Sequence, residues 1–119
     1  MPRIARLGRE GLRKENDPLL LVLISLLAGP RHGHALLDDI EAFAGTRLGP
    51  GTLYGAITRL EEQGLIEPLE PIGRRRPYRI TASGVDATRQ VLDATAAVVS
   101  AGKARLRGLR AGTFAIPPL

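Results

Sequence analysis

The sequence predicts a mainly α fold with one small β-hairpin placed before the last of its helices. Three observations predict it. Between Asp17 and Gly64, apolar residues recur at helical spacing in three segments, each closed by a glycine. Two short β-prone segments then flank a turn rich in arginine. Beyond them, apolar and small residues alternate at spacings of three and four from Val85 to Leu109, as along one long helix with a seam.

Taken in order, residues 1–16 carry Arg3, Arg6, Arg9, Arg13 and Lys14 against Glu10 and Glu15, and two glycines weaken their faint helical pattern. They read as a basic N-terminal arm. Asp17 caps the first helix, with Pro18 at the first-turn position where a missing N–H costs nothing. From Leu19 to Ala28 this helix is apolar on nearly all sides, so its own domain or a second subunit must cover it. Leu20, Leu23 and Leu27 are its candidate dimer contacts. Gly29-Pro30 ends it. The second helix is expected over Gly33 to Ala44, with Leu36, Ile40 and Phe43 on its apolar face and Gly45 as its stop.

The third helix runs from Gly49-Pro50-Gly51 to Gln63 on a core stripe of Leu53, Ile57 and Leu60. That leaves Thr52, Tyr54, Gly55, Thr58, Arg59 and Glu62 on its flanks and open side. Leu65 to Leu69 reads as a strand, and Pro68 marks it as a sheet edge. A turn over residues 71–77 leads to a second strand, Tyr78 to Thr81. Thr81 or Ser83 caps the last helix, expected to reach about Arg107. Its seam offers Leu92, Val99 and Leu106 as dimer contacts, while Thr88, Thr95 and Gly102 make it a weak zipper. The expected layout is an arm over 1–16, a domain over 17–81, a dimerisation helix over 82–110 and a tail over 111–119.

The 119 residues suit one domain with a modest core, and 44% hydrophobic with 24% charged residues fits a globular chain. Cysteine is absent, which removes disulfides and thiolate metal sites. The longest apolar run, Leu19 to Leu27, is about half of a bilayer span. It lies behind Glu10, Glu15 and Asp17, unlike a secretory signal, so a cytoplasmic protein with no membrane partner is expected. The net charge of +5 is unevenly spread: residues 74–79 and 103–110 hold four basic residues each and no acid. Such clusters suit a polyanion, either nucleic acid or a membrane surface.

The order helix, helix, helix, strand, basic turn, strand, long helix is that of a winged helix-turn-helix. In that module the third helix enters the major groove, N-terminal end foremost. The small and hydroxylated residues Gly51, Thr52, Tyr54 and Gly55 open it, and Glu61 and Glu62 lie at its far end. Thr52, Tyr54, Thr58 and Arg59 are therefore candidate DNA contacts, with Thr58 and Arg59 placed one turn in. Arg59 either reads a guanine or is held by Glu62. Arg74, Arg75 and Arg76 in the wing are candidates for phosphates or a narrow minor groove. His32-Gly33-His34 lacks a clear third ligand, so a role at the helix start is preferred to metal. Asp38 and Asp39, adjacent on a helix, point to different sides and cannot act as a paired acid and base. With no nucleophile set, phosphate loop or dinucleotide fingerprint, neither an enzyme nor a cofactor is expected.

Gly33-His34-Ala35-Leu36-Leu37-Asp38-Asp39-Ile40, then Gly51-Thr52-Leu53-Tyr54-Gly55-Ala56-Ile57-Thr58-Arg59-Leu60-Glu61-Glu62-Gln63-Gly64-Leu65-Ile66, resemble the PadR family of bacterial transcription regulators. Arg74-Arg75-Arg76-Pro77-Tyr78-Arg79-Ile80-Thr81-Ala82-Ser83-Gly84 continues the likeness through the wing into the last helix, and it covers roughly residues 19 to 100. Two positions depart from the family pattern: His34, where an aromatic is usual, and Gly55, where a proline is usual. The resemblance implies a winged-helix DNA-binding domain, a two-fold homodimer formed through the last helix, and small-molecule effectors near the dimer interface. It implies a regulator of double-stranded DNA, taken here as a repressor on a palindromic operator. No tryptophan is present to stack a planar drug.

Overall fold

Asp17 starts the first helix, α1 (Pro18–Leu27): its Oδ1 accepts the Leu19 amide at 3.0 Å, and Pro18 takes the first position. The computed structural model describes residues 17–110; the expected arm over 1–16 and tail over 111–119 lie outside the described residues. After α1 come β1 (Arg31–His32), α2 (Gly33–Ala44), α3 (Pro50–Glu62), β2 (Ile66–Pro68), β3 (Pro77–Ile80) and α4 (Ala82–Arg110). Residues up to Thr88 form one compact unit and those from Arg89 a second.

The first unit closes around α1, which packs against α2, α3 and β3. Leu21, Val22, Leu23 and Leu26 join Leu36, Leu37 and Ile40 of α2, Leu53, Ala56, Ile57 and Leu60 of α3, and Ile66 of β2 in one core. Each fully buried leucine or isoleucine here contributes about 1.5–3 kcal/mol. Two expectations are corrected by this packing. Leu23, expected at a subunit contact, is buried in its own chain, because three elements already cover α1. Phe43, expected on the core face of α2, is 46% exposed, and Leu37 is buried instead. Leu20 is half-buried and Leu27 is 45% exposed.

The polar residue of α1, Ser25, is fully buried and matched. Its hydroxyl donates to Asp39 Oδ2 at 2.6 Å, and Arg31 lies 3.7 Å from the other carboxylate oxygen. α1, β1 and α2 are thereby tied at one point. Asp38, next in sequence, faces the other way toward Arg47. That arginine also binds Glu41 and so braces the turn between α2 and α3, which Gly45 opens with a left-handed φ of 72°. The Arg47 guanidinium holds the Asp38 carboxyl below the usual carboxylate range.

The sheet is larger than the expected hairpin. Its order is β1-β3-β2, all antiparallel, with Arg31 opposite Tyr78 and His32 opposite Pro77. A two-residue strand is too short to show alternation, so its pairing is made by backbone position alone. Pro68 lies on the edge strand β2, as its missing N–H requires, and Pro77 opens the central strand.

Thr81 joins the sheet to α4. Its hydroxyl donates to the Gly64 carbonyl at 2.7 Å and accepts the Gly84 amide at 3.0 Å. Gly84 is buried, and a Cβ there would lie 2.1 Å from the Leu65 carbonyl oxygen and 2.7 Å from Ile80 Cγ1. The first of these is backbone and cannot swing away. Gly84→Ala is therefore expected to cost about 1–3 kcal/mol or more, lowering the melting temperature by roughly 4–8 °C per kcal/mol. A thermal melt indistinguishable from wild type would contradict this contact.

In the second unit, residues 89–109 of α4 are exposed. Leu92, Val99 and Leu106 are 38%, 48% and 65% exposed. Val91 and Val98 flank them, also exposed, and widen the stripe. The earlier seam positions Val85 and Thr88 belong to the first unit, where Thr88 is buried and donates to the Gly84 carbonyl.

Candidate nucleic-acid interface

Three elements of the first unit build this face: the start of α2, the outer side of α3, and the β2–β3 wing. α3 buries Leu53, Ala56, Ile57 and Leu60 and leaves Thr52, Tyr54, Thr58 and Arg59 exposed. Gly49 precedes it without a side-chain cap. Amides of the first turn have no partner within a helix, so this end suits an anion. Thr58 donates its hydroxyl to the Tyr54 carbonyl at 2.9 Å, one turn back. Arg59 stands in the last turn rather than one turn in, and no ion pair to Glu62 forms.

The wing turns through Ile72-Gly73-Arg74-Arg75. Ile72 and Arg75 exchange two backbone hydrogen bonds, at 2.7 and 3.0 Å. Gly73 takes φ 62° at the first central position, the type II′ pattern that matches strand twist. This leaves Arg74 at the tip beside an exposed Ile72. The three arginines differ in what they do. Arg76 donates to the Leu69 carbonyl at 2.9 Å and braces the wing, Arg75 reaches His32, and Arg74 makes no such bond. Arg79 is neutralised by Glu67 directly across the strands.

Between these elements lies a cavity of about 210 Å³, lined by His32 to His34, Tyr54, Arg74 to Arg76 and Tyr78. Among the described residues, no carboxylate lines it. Burial, with Glu61 nearby, pushes the Tyr78 phenol above its ordinary ionisation range, so its hydroxyl stays a neutral donor. Tyr54 closes over the start of α2: a Cβ on Gly33 would fall 2.2 Å from its hydroxyl oxygen, so a larger residue there would push the half-exposed tyrosine aside. His32 Nδ1 accepts the Ala35 amide at 3.3 Å and caps α2, while His34 faces Asp38. Of the expected contacts, Tyr54 and the wing arginines are brought together here; Thr52, Thr58 and Arg59 are not. His32, Gly33 and Tyr78 join the site without a local signal, because β1, a strand of two residues, sets His32 and the start of α2 beside β3.

A family model described as the transcriptional regulator PadR-like family matches residues 20–90. Over 71 residues, 60% of this chain and 21% of the other, the sequence is 51% identical to an uncharacterised protein in transposon Tn4556 of Streptomyces fradiae. Over 65 residues, 55% of this chain and 33% of the other, it is 38% identical to the transcriptional activator GvpE of Haloferax mediterranei. The chain thus matches a third or less of the length of these relatives. The crystal structure of a PadR family transcriptional regulator from Eggerthella lenta superposes with a TM-score of 0.61 at 30% identity, covering 82% of this chain and 89% of that one. The family match takes in the helix-turn-helix, the wing and the start of α4, and on that extent the chain belongs to the PadR-like family of transcriptional regulators.

Proposed function

We propose that the chain is a homodimeric, sequence-specific binder of double-stranded DNA that acts as a repressor on a palindromic operator. The observation that carries the reading is the cationic cavity shared by the α2 start, Tyr54 and the wing, which no carboxylate lines among the described residues. The exposed seam of α4 supports the dimer, joining 82–110 as a dimerisation helix to the DNA-binding domain of 17–81. α3 then lies in the major groove, and the wing lies on phosphate or in the minor groove. Such a protein works in the cytoplasm, without a cofactor or membrane partner. Release by a small molecule near the dimer interface follows from the family resemblance.

Selection of bound duplexes from a random pool tests specificity and symmetry together. Two half-sites about one helical turn apart are expected. On the selected operator, Arg59→Ala should abolish preference at one symmetric pair of positions, a contact worth about 1–3 kcal/mol if bidentate to guanine. Tyr54→Phe should weaken all sequences alike. Recovery of no common sequence would contradict the reading, and equal weakening by Arg59→Ala would reassign that residue to the backbone.

A further inference from the structure

The wing ends in an apolar side chain for which its own chain provides no cover. Ile72 is 73% exposed, as much as any large apolar residue among the described ones. It opens the type II′ turn, whose shape is set by Gly73 and places no demand on the residue before it. A scattered surface isoleucine would call for no explanation; this one has a particular position. Ile72 and Arg75 are directly paired, which puts both side chains on one face of the ribbon. Arg75 lines the cationic cavity, so Ile72 extends that same face to the tip of the wing. Residues 71–81 contain no acid. The tip is also held in place, since the Leu69 amide donates to the Pro77 carbonyl at 2.9 Å and Arg76 braces the Leu69 carbonyl. A preorganised tip gives up little freedom on binding.

A phosphate offers an isoleucine nothing. The minor groove does, because its walls carry sugar C–H groups and an opened base step exposes apolar faces, within reach of arginines that the groove attracts. We propose that Ile72 is an apolar wedge, entering the minor groove once in each half-site and kinking the duplex at one base step. The wedge rests on the DNA-binding reading above. Ile72 makes no hydrogen bond to a base, so the preference it creates is for deformability: a pyrimidine–purine step at that position, which unstacks most easily.

Ile72→Ser removes the wedge, and Ile72→Leu keeps an apolar one. Neither alters Gly73 or a buried contact, so thermal melts should match wild type. Each protein is bound to the selected operator carrying 2-aminopurine at one adenine at a time, and to end-labelled copies whose energy transfer reads the bend. Wild type should brighten one position in each half-site and kink the duplex there by about 20° or more. Ile72→Ser should bind about tenfold more weakly, lose the brightening and bend the duplex less. Its salt slope should stay unchanged, because no charge is removed. Ile72→Leu should retain both signals. Replacing the flexible step by a stiff A-tract should cost wild type about tenfold and Ile72→Ser nothing. A wild type that binds its operator without brightening any position, or equal brightening by Ile72→Ser, overturns the wedge while DNA binding stands. If wild type binds no duplex, the DNA reading and the wedge fail together, and the missing complex tells this outcome from the other.

Discussion

Replacing Leu92 and Val99 together by aspartate is expected to leave the protein monomeric across the micromolar range. Both residues are exposed in the single chain, at seam positions seven apart. Two-fold symmetry would place each twice in the interface, so four apolar contacts become four charges. A loss of about 4 kcal/mol or more corresponds to a thousandfold weaker dimer. The fold of residues 17–88 should survive, since neither residue belongs to that unit. Sedimentation velocity reads the mass, and circular dichroism checks the fold. A wild type that is monomeric at about 10 µM, or a double variant that remains dimeric, would remove α4 as the dimer contact. Operator affinity should fall with the dimer, because the second half-site is no longer tethered to the first.

Removal of the wing guanidinium groups, through Arg74→Ala, Arg75→Ala and Arg76→Ala together, should weaken binding to every duplex by about a hundredfold at moderate salt. The log–log salt slope should fall by roughly one for each lost phosphate contact. Arg76 is engaged with the Leu69 carbonyl and braces the wing, so the expected fall is about two rather than three. The single variants should divide accordingly, Arg74→Ala and Arg75→Ala each changing the slope and Arg76→Ala leaving it nearly unchanged. An unchanged slope in the triple variant would exclude the wing from DNA.

Elements with local chemistry were legible. Asp17-Pro18 starts α1, Gly45 stops α2, and Leu53, Ile57 and Leu60 face the core, because caps, left-handed glycines and helical spacing act within a few residues. What was hidden depends on distant partners. β1 exists only because β3 comes to lie beside Arg31 and His32. The burial of Leu23 and exposure of Phe43 follow from where α1 rests, which periodicity cannot give. No local pattern marks Gly84, yet its missing side chain lets α4 pass the Leu65 carbonyl. At the site, Tyr54 and the arginines could be named from the element order. The pairing of His32 with Arg75 spans 43 residues and had no local signal.

The central claim is a two-fold dimer on one duplex, and stoichiometry tests it most directly. Sedimentation velocity of a fluorescent selected operator, titrated with the intact chain at about 100 mM salt, should show one complex holding two chains per duplex. Raising salt should dissociate it along a linear log–log plot. One chain per duplex at saturation, or no association with any duplex even at about 50 mM salt, would contradict the account.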